Sequence, residues 1–350
     1  MALRHLDFPS GQVGLYGTTK SLLTSGVYAQ YGDFNSFFLV DDPDPNITGT
    51  VARFDADAGA TGILRYVLPA TNTKVGIARR FWVDLLPVDA ARLPFVMEWR
   101  NGANVVLGYV VCDTTGRLSI VVGNSTTTST NPVLVANAWQ HVEGMMNTAT
   151  GDVEVRVEGV LAVSVAGLAI VGPIAQISVR VPSVNQPNLK QYLKDFAVWD
   201  GSGAFNNTFM GSIQVRELIP DGDAAFNWLA STGVTGFNLI DEAPPNDDTD
   251  YIYAVTPPPA ASKFSVGNLP VDVTSVRGLS VVVRSRKTDG GDGNLQTGLV
   301  SGASTVLGTD RPITTAYTYW TDIFETDPAT GAAWSPAAVN AVQLQLNRTL

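Results

Sequence analysis

The chain has 350 residues, with 22 Lys and Arg against 32 Asp and Glu, a formal net charge of −10 and only 15% charged residues. That balance argues against nucleic acid or an anionic membrane surface as the main partner, because binding phosphate draws on clustered Lys and Arg. One cysteine, Cys112, and two histidines, His5 and His141, exclude an intramolecular disulfide framework and zinc sites of the four-cysteine or two-cysteine, two-histidine kind. In chain order, the N-terminal Met1-Ala-Leu-Arg-His-Leu-Asp-Phe-Pro9 lacks the apolar centre of a secretory signal, so the expectation is a product made in the cytoplasm. Residues 1–45 show little alternation and end in Asp41-Asp-Pro-Asp-Pro-Asn46. They read as an extended arm lying on the rest of the protein or on a neighbouring subunit.

From there the sequence takes a period of two. Short apolar runs occur at Phe81–Leu86, Val105–Val111, Leu118–Val122, Ala175–Val181 and Leu193–Trp199. The clearest is Gly151-Asp-Val-Glu-Val-Arg-Val-Glu-Gly159, which places Val153, Val155 and Val157 on one face and Asp152, Glu154, Arg156 and Glu158 on the other, as a half-buried strand requires. Turn clusters at Asp113–Gly116, Thr148–Asp152 and Asp200–Gly203 separate the runs. The most apolar stretch, Val160 to Ala175, is broken by Ser164, Gly167, Gly172 and Pro173. It falls short of the roughly 20 residues of a spanning helix, so no membrane insertion is expected. Strands at this spacing indicate a sandwich.

Ile219-Pro-Asp-Gly-Asp223 ends this series, and the acidic Asp241-Glu-Ala-Pro-Pro-Asn-Asp-Asp-Thr-Asp250 connects to further runs at Tyr251–Val255 and Gly278–Val283. Helix signals are two: a single turn at Val88–Pro94, and Ser335-Pro-Ala-Ala-Val-Asn-Ala-Val342, with Ser at an N-cap and Pro at the first helical position. The fold class is therefore all-β: an N-terminal jelly-roll β-sandwich over 46–219 and a smaller C-terminal β domain over 220–350.

Four segments carry a resemblance: Asp113-Thr-Thr-Gly-Arg-Leu118, Ala138-Trp-Gln-His-Val-Glu143, Gly151–Gly159 and Tyr192-Leu-Lys-Asp-Phe-Ala-Val-Trp199. In this order and spacing, the region from about Val51 to Val215 resembles the laminin-G-like, concanavalin-A-like jelly roll. The wider arrangement adds Gly211–Asp223, Trp228-Leu-Ala-Ser-Thr-Gly233 and Phe324-Glu-Thr-Asp-Pro-Ala-Thr-Gly-Ala-Ala-Trp-Ser-Pro336. It is similar to structural proteins of tailed bacteriophages and phage-like particles. The resemblance implies a structural role for His141, which follows Trp139 at strand spacing.

The alternating series Asp152-x-Glu154-x-Arg156-x-Glu158 suggests the carboxylates of a jelly-roll glycosidase, with Glu154 and Glu158 as the candidates, since side chains two apart on a strand sit about 6.5–7 Å from each other. Arg156 stands where that pattern wants a central carboxylate. Cys112 and His141 would be the partners of a thiol dyad, but Cys112 ends an apolar run and reads as a buried small hydrophobe. No phosphate loop, dinucleotide fingerprint or serine elbow occurs. For calcium, Asp289, Asp292 and Asn294 offer oxygens in a Gly-rich turn, and Asp221 with Asp223 offers a second set; neither fits the EF-hand register, and Asp-Gly pairs are ordinary turn formers. Tyr317, Tyr319, Trp320 and Trp334 are aromatics that either stack on sugar rings or pack the core.

Together these readings give no catalytic residues and no required cofactor, with calcium at Asp289, Asp292 and Asn294 as the one metal candidate. The expected function is a non-enzymatic structural protein of a bacteriophage virion surface, a capsid decoration, cement or head-spike protein. Its partners would be capsid or other virion proteins and its own copies, as a trimer or other homo-oligomer. The alternatives are a tail-located receptor-binding protein recognising host surface glycan and a glycosidase using Glu154 and Glu158.

Overall fold

The computed structural model describes residues 3–7, 14–15, 28–31, 37–41, 43, 50–55, 63–84, 86–87, 95–180, 190–242, 245–255 and 259–349. The chain forms two compact units, Met1–Val215 and Arg216–Leu350. The division falls at 215/216 and not at 219/220, because Leu218 packs with the core of the second unit.

The first unit is a jelly-roll-like β-sandwich. Its strands are β1 (Leu3–Asp7), β2 (Gly14–Leu15), β3 (Tyr28–Tyr31), β4 (Phe37–Asp41), β5 (Thr50–Asp55), β6 (Ile63–Asn72), β7 (Lys74–Val83) and β8 (Phe95–Arg100). They continue with β9 (Val106–Cys112), β10 (Leu118–Val122), β11 (Ser125–Thr128), β12 (Gln140–Asn147), β13 (Asp152–Val157), β14 (Val160–Val165), β15 (Ile174–Arg180) and β16 (Lys190–Asp200). Among the described residues, one sheet runs β14-β13-β12-β7-β16-β5-β4-β2 with β1 also beside β16, and the other runs β11-β10-β9-β8-β15-β6-β3.

The described parts of residues 1–45 are strands of these sheets: β1 and β4 pair with β16 and β5, and β3 pairs with β6. Where it is described, the expected extended arm is paired into these sheets. The run Phe37-Phe-Leu-Val40, too short to alternate visibly, is the length of one fully paired strand. The single turn expected at Val88–Pro94 lies outside the described residues.

The interior follows the alternation of the sequence. Val153, Val155 and Val157 of β13 face Val142 and Met146 of β12 and Val75, Ile77, Phe81 and Val83 of β7 in one buried cluster with β8–β10 and β15. The indole N–H of Trp99 on β8 donates to the Val75 carbonyl on β7 at 3.2 Å, linking the two sheets through the core. Gly144 makes room for that contact: a Cβ there would lie 2.0 Å from Met97 Sδ and 3.0 Å from the Trp99 ring.

Arg79 breaks the pattern. It lies on the inward-facing side of β7, between Ile77 and Phe81, with no exposed surface. Its guanidinium sits 4.7 Å over the Phe81 ring, and none of its three side-chain nitrogens finds a hydrogen-bond partner among the described residues. Burial pulls its pKa down to about 9.

The second unit is built on β17 (Pro220–Ala225), β18 (Leu229–Ala230), β19 (Ile252–Tyr253), β20 (Ser262–Val266), β21 (Leu279–Ser285), β22 (Asn294–Ser301), β23 (Ser304–Leu307), β24 (Arg311–Pro312), β25 (Thr318–Phe324) and β26 (Gln343–Arg348). The main sheet runs β17-β20-β26-β22-β23 with β24 beside β22, and β21 pairs with β25 as a ribbon. The sequence-expected terminal helix is α1 (Pro336–Asn340), with the Ser335 hydroxyl accepting from the Ala338 N–H and Pro at its start. Trp334 is buried against Leu299, Phe324, Val339 and Val342, and its indole N–H donates to the Phe324 carbonyl at 3.0 Å.

A buried cation without an anionic or hydrogen-bonding partner opposes folding. Replacing Arg79 by Met, of similar length and apolar, is expected to raise unfolding stability by about 1–4 kcal/mol in urea titration. An unchanged or lower midpoint would show that the guanidinium stabilises the core.

Candidate functional site

Alternation places a second set of side chains on the outer face of the β14–β2 sheet. Lys74, Arg80 and Trp82 come from β7, His141 and Glu143 from β12, Glu154 and Arg156 from β13, and Tyr192 and Lys194 from β16. Register then aligns them in rows across strands: Glu143 opposite Arg156, His141 opposite Arg80, Arg80 opposite Lys194 and Trp82 opposite Tyr192.

Most of this face is covered by the chain itself. Residues 202–215, which have no regular secondary structure, cross it as a strap. Lys74 Nζ donates to the Asn207 carbonyl at 3.0 Å, and the Phe209 ring lies 4.2 Å from the Arg156 guanidinium. Glu143, fully buried, accepts the N–H groups of Met210 at 2.8 Å and Gly211 at 3.1 Å. Arg80 donates to the Ser212 hydroxyl at 3.2 Å and pairs with Asp195 at 3.1 Å, while Asp195 accepts the Val215 N–H at 2.8 Å. Asp195 has φ of 54° within a bulge of β16 between Lys194 and Ala197, and that irregularity places its carboxylate by Arg80 and the strap.

Beside the strap, the face carries an aromatic cluster. Trp82 and Trp139 are 5.8 Å apart between ring centroids, and Lys194 Nζ lies 4.1 Å over Trp139. Asp84 accepts from the Trp82 indole at 3.1 Å and from the Tyr192 hydroxyl at 3.3 Å, so one carboxylate orients both rings. Trp139 is only half-buried. The pairs Trp82-x-Asp84 and Tyr192-x-Lys194 were visible as alternate positions. The register joining them across two strands was not.

The residues singled out for catalysis are spread apart or engaged. Glu154 pairs with Arg156 at 2.6 Å. Glu158 is not on the strand with it: β13 ends at Val157, and Glu158 and Gly159, with φ of 49° and 78°, form the two-residue hairpin turn into β14. Its carboxylate accepts the His141 N–H at 2.6 Å. Cys112 faces the sandwich interior from β9, whereas His141 lies on the outer face of the opposite sheet, so they form no dyad. Burial first, and the charge of Asp113, push the Cys112 thiol up to about 12. His141 is fully buried with neither ring nitrogen hydrogen-bonded among the described residues. Burial, then the charge of Arg80, lower it to about 4 against the opposing pull of Glu158.

In the second unit, Asp289 accepts the Gly291 N–H within its own turn, and the Asn294 amide donates to Asp310. Asp221 accepts from Ser265, and Asp223 from the backbone of Gly236 and Phe237. No group of three or more His, Cys, Asp and Glu side chains fit to hold a metal ion occurs among the described residues. Tyr317, Tyr319 and Trp320 serve the β21–β25 ribbon. Arg284 stacks on Tyr317 and Tyr319 and pairs with Asp247, Arg286 pairs with Asp248, and the Trp320 indole donates to Ser285.

No protein-family model matches the chain, and no curated protein matches it in sequence. Among solved structures it is similar to the binding domain of Paraclostridial mosquitocidal protein 1, at 12% identity and a TM-score of 0.39 over 57% of this chain and 48% of that one. It is also similar to a sialidase, at 12% identity and a TM-score of 0.36 over 50% of this chain and 19% of that one. An alginate lyase from Corynebacterium sp. aligns at 15% identity and a TM-score of 0.34 over 42% and 76%. The chain thus spans about half of the mosquitocidal binding domain and about a fifth of the sialidase. Likeness at this level extends no further than β-sandwich architecture.

Two measurements test the outer face. Glu143→Ala leaves two strap N–H groups without their charged acceptor and is expected to cost about 2–4 kcal/mol, with protease cleavage appearing within 202–215. Intact resistance there would show that the strap is held by other contacts. For His141, the unfolded chain takes up a proton below about 6.5 while the folded one resists to about 4, so stability falls as pH falls through that window. The loss amounts to about 3 kcal/mol, and His141→Phe should flatten the pH 4–6.5 limb of the stability curve.

Proposed function

We propose that this chain is a non-enzymatic structural protein of a bacteriophage virion surface, acting as a capsid decoration, cement or head-spike protein. The observation that carries the non-enzymatic part is the strap. The outer sheet face, where a β-sandwich has room for a ligand, spends Lys74, Arg80, Glu143, Arg156 and Asp195 on holding residues 207–215 of the same chain. Charged groups committed in this way give rigidity and not turnover. The virion assignment draws its support from the sequence resemblance between Asp113 and Pro336 and from an acidic, Thr- and Val-rich chain suited to close-packed β surfaces. Attachment would come from many weak contacts multiplied over copies.

A second reading, receptor binding to host surface glycan, is favoured by one feature. The half-buried Trp139, braced by Trp82 and Lys194 beside the strap, presents an aromatic ring of the kind on which sugar faces pack.

Immunogold electron microscopy of particles, with antibody raised against the recombinant chain, separates these readings. Gold distributed over heads is the expected result. Gold confined to tails would favour receptor binding, to be followed by binding assays of Trp139→Ala on host polysaccharide. Absence of labelling with an antibody that recognises the purified protein would overturn the virion assignment.

A further inference from the structure

The sandwich has one side where both sheets end. The terminal strand of one sheet is β14 and of the other β11, and β14 lies alongside β10 and β11 of the opposite sheet. Both terminal strands fall within stretches free of charge. Residues 118–142 and 159–179 contain no Asp, Glu, Lys or Arg, whereas at the chain average of 15% they would carry about seven. The two segments are separated by residues 143–158, and the fold brings their terminal strands together on this side.

Within this region Val160, Leu161 and Val171 are 70%, 56% and 83% exposed. Among the described residues β14 is hydrogen-bonded to a strand on one side only, so its other row of N–H and C=O groups takes part in no ladder. Sheet edges are ordinarily blunted by Lys, by Pro or by bulges. Neither β14 nor β11 contains Lys or Pro. The one register irregularity, at Val155/Arg156, leaves Val163–Val165 in regular pairing with β13.

We propose that this open side is the self-association surface of the protein, with β14 of one copy pairing antiparallel with β14 of a second across a two-fold axis. Charge selects the partner. Two copies of net charge −10 repel wherever acidic surfaces meet, and this side lets them approach without placing like charges opposite one another. A basic partner would gain nothing here that it would not gain better on the acidic remainder of the surface. An uncharged strand edge is complementary to itself, which an isologous interface requires. Pairing also covers Val160 and Leu161 on both copies.

The test uses the full chain. Sedimentation equilibrium is expected to show a concentration-dependent dimer, and Val160→Lys/Leu161→Lys to weaken it by ~10-fold or more with the β circular-dichroism signal unchanged. Hydrogen exchange of the unsubstituted protein at low and high concentration guards against a variant that misfolds. Backbone amides of 160–165 should gain protection as the dimer forms. A monomer at every concentration, or protection gained elsewhere while 160–165 stays unprotected, would overturn the proposal. The immunogold result bears on location alone, so failure of either idea leaves the other standing.

Discussion

A buried carboxylate without water must find donors, and Glu143 finds them in the backbone of its own chain. Its position on β12 is fixed by the same alternation that sends Val142 and Met146 into the core. Once Glu143 is fixed, the N–H groups of Met210 and Gly211 bond to it, and the path of the strap passes over it. Arg80, Ser212 and Asp195 extend the seam, and the aromatic cluster is what remains of the face beyond it. An irregular segment with no periodicity of its own is thereby held to the sheet at discrete points.

The second unit resolves a similar demand differently. Asp322, on the inner side of β25, accepts from the Thr297 hydroxyl at 2.5 Å, from the Thr309 N–H at 3.1 Å and from both ends of the Arg311 guanidinium at 2.7 and 2.8 Å. Burial alone would raise its pKa, but these hydrogen bonds outweigh burial and hold it below the usual carboxylate range. Among the described residues Arg79 of the first unit has no such shell. The contrast explains why one buried charge ties strands together while the other burdens its sheet.

The fold class was legible where one face of a strand is apolar: Val153, Val155 and Val157 announce β13, and Ser335-Pro336 announces the helix start. What escaped reading depends on partners distant in sequence. Arg79 falls in register with Val75, Ile77, Phe81 and Val83, but a charged residue at a core position of the strand gives no sign that its guanidinium stays buried there; Val142 lies opposite it on β12. Glu158 looked like the next strand residue, but the Glu-Gly pair is the hairpin turn, so the apparent carboxylate pair with Glu154 dissolves. The strap was invisible for the same reason that it matters. Its contacts are made by backbone amides, which every sequence has.

The order of contacts along the strap has a mechanical meaning. Val215 is the last residue of the first unit, and its N–H is anchored to Asp195. Arg80–Ser212 follows, and the two Glu143 bonds come after it. Pulled from Val215, the strap would meet the Asp195, Arg80 and Glu143 anchors in turn. It would yield as a graded tether, letting out chain in steps while the sandwich beneath keeps its strands.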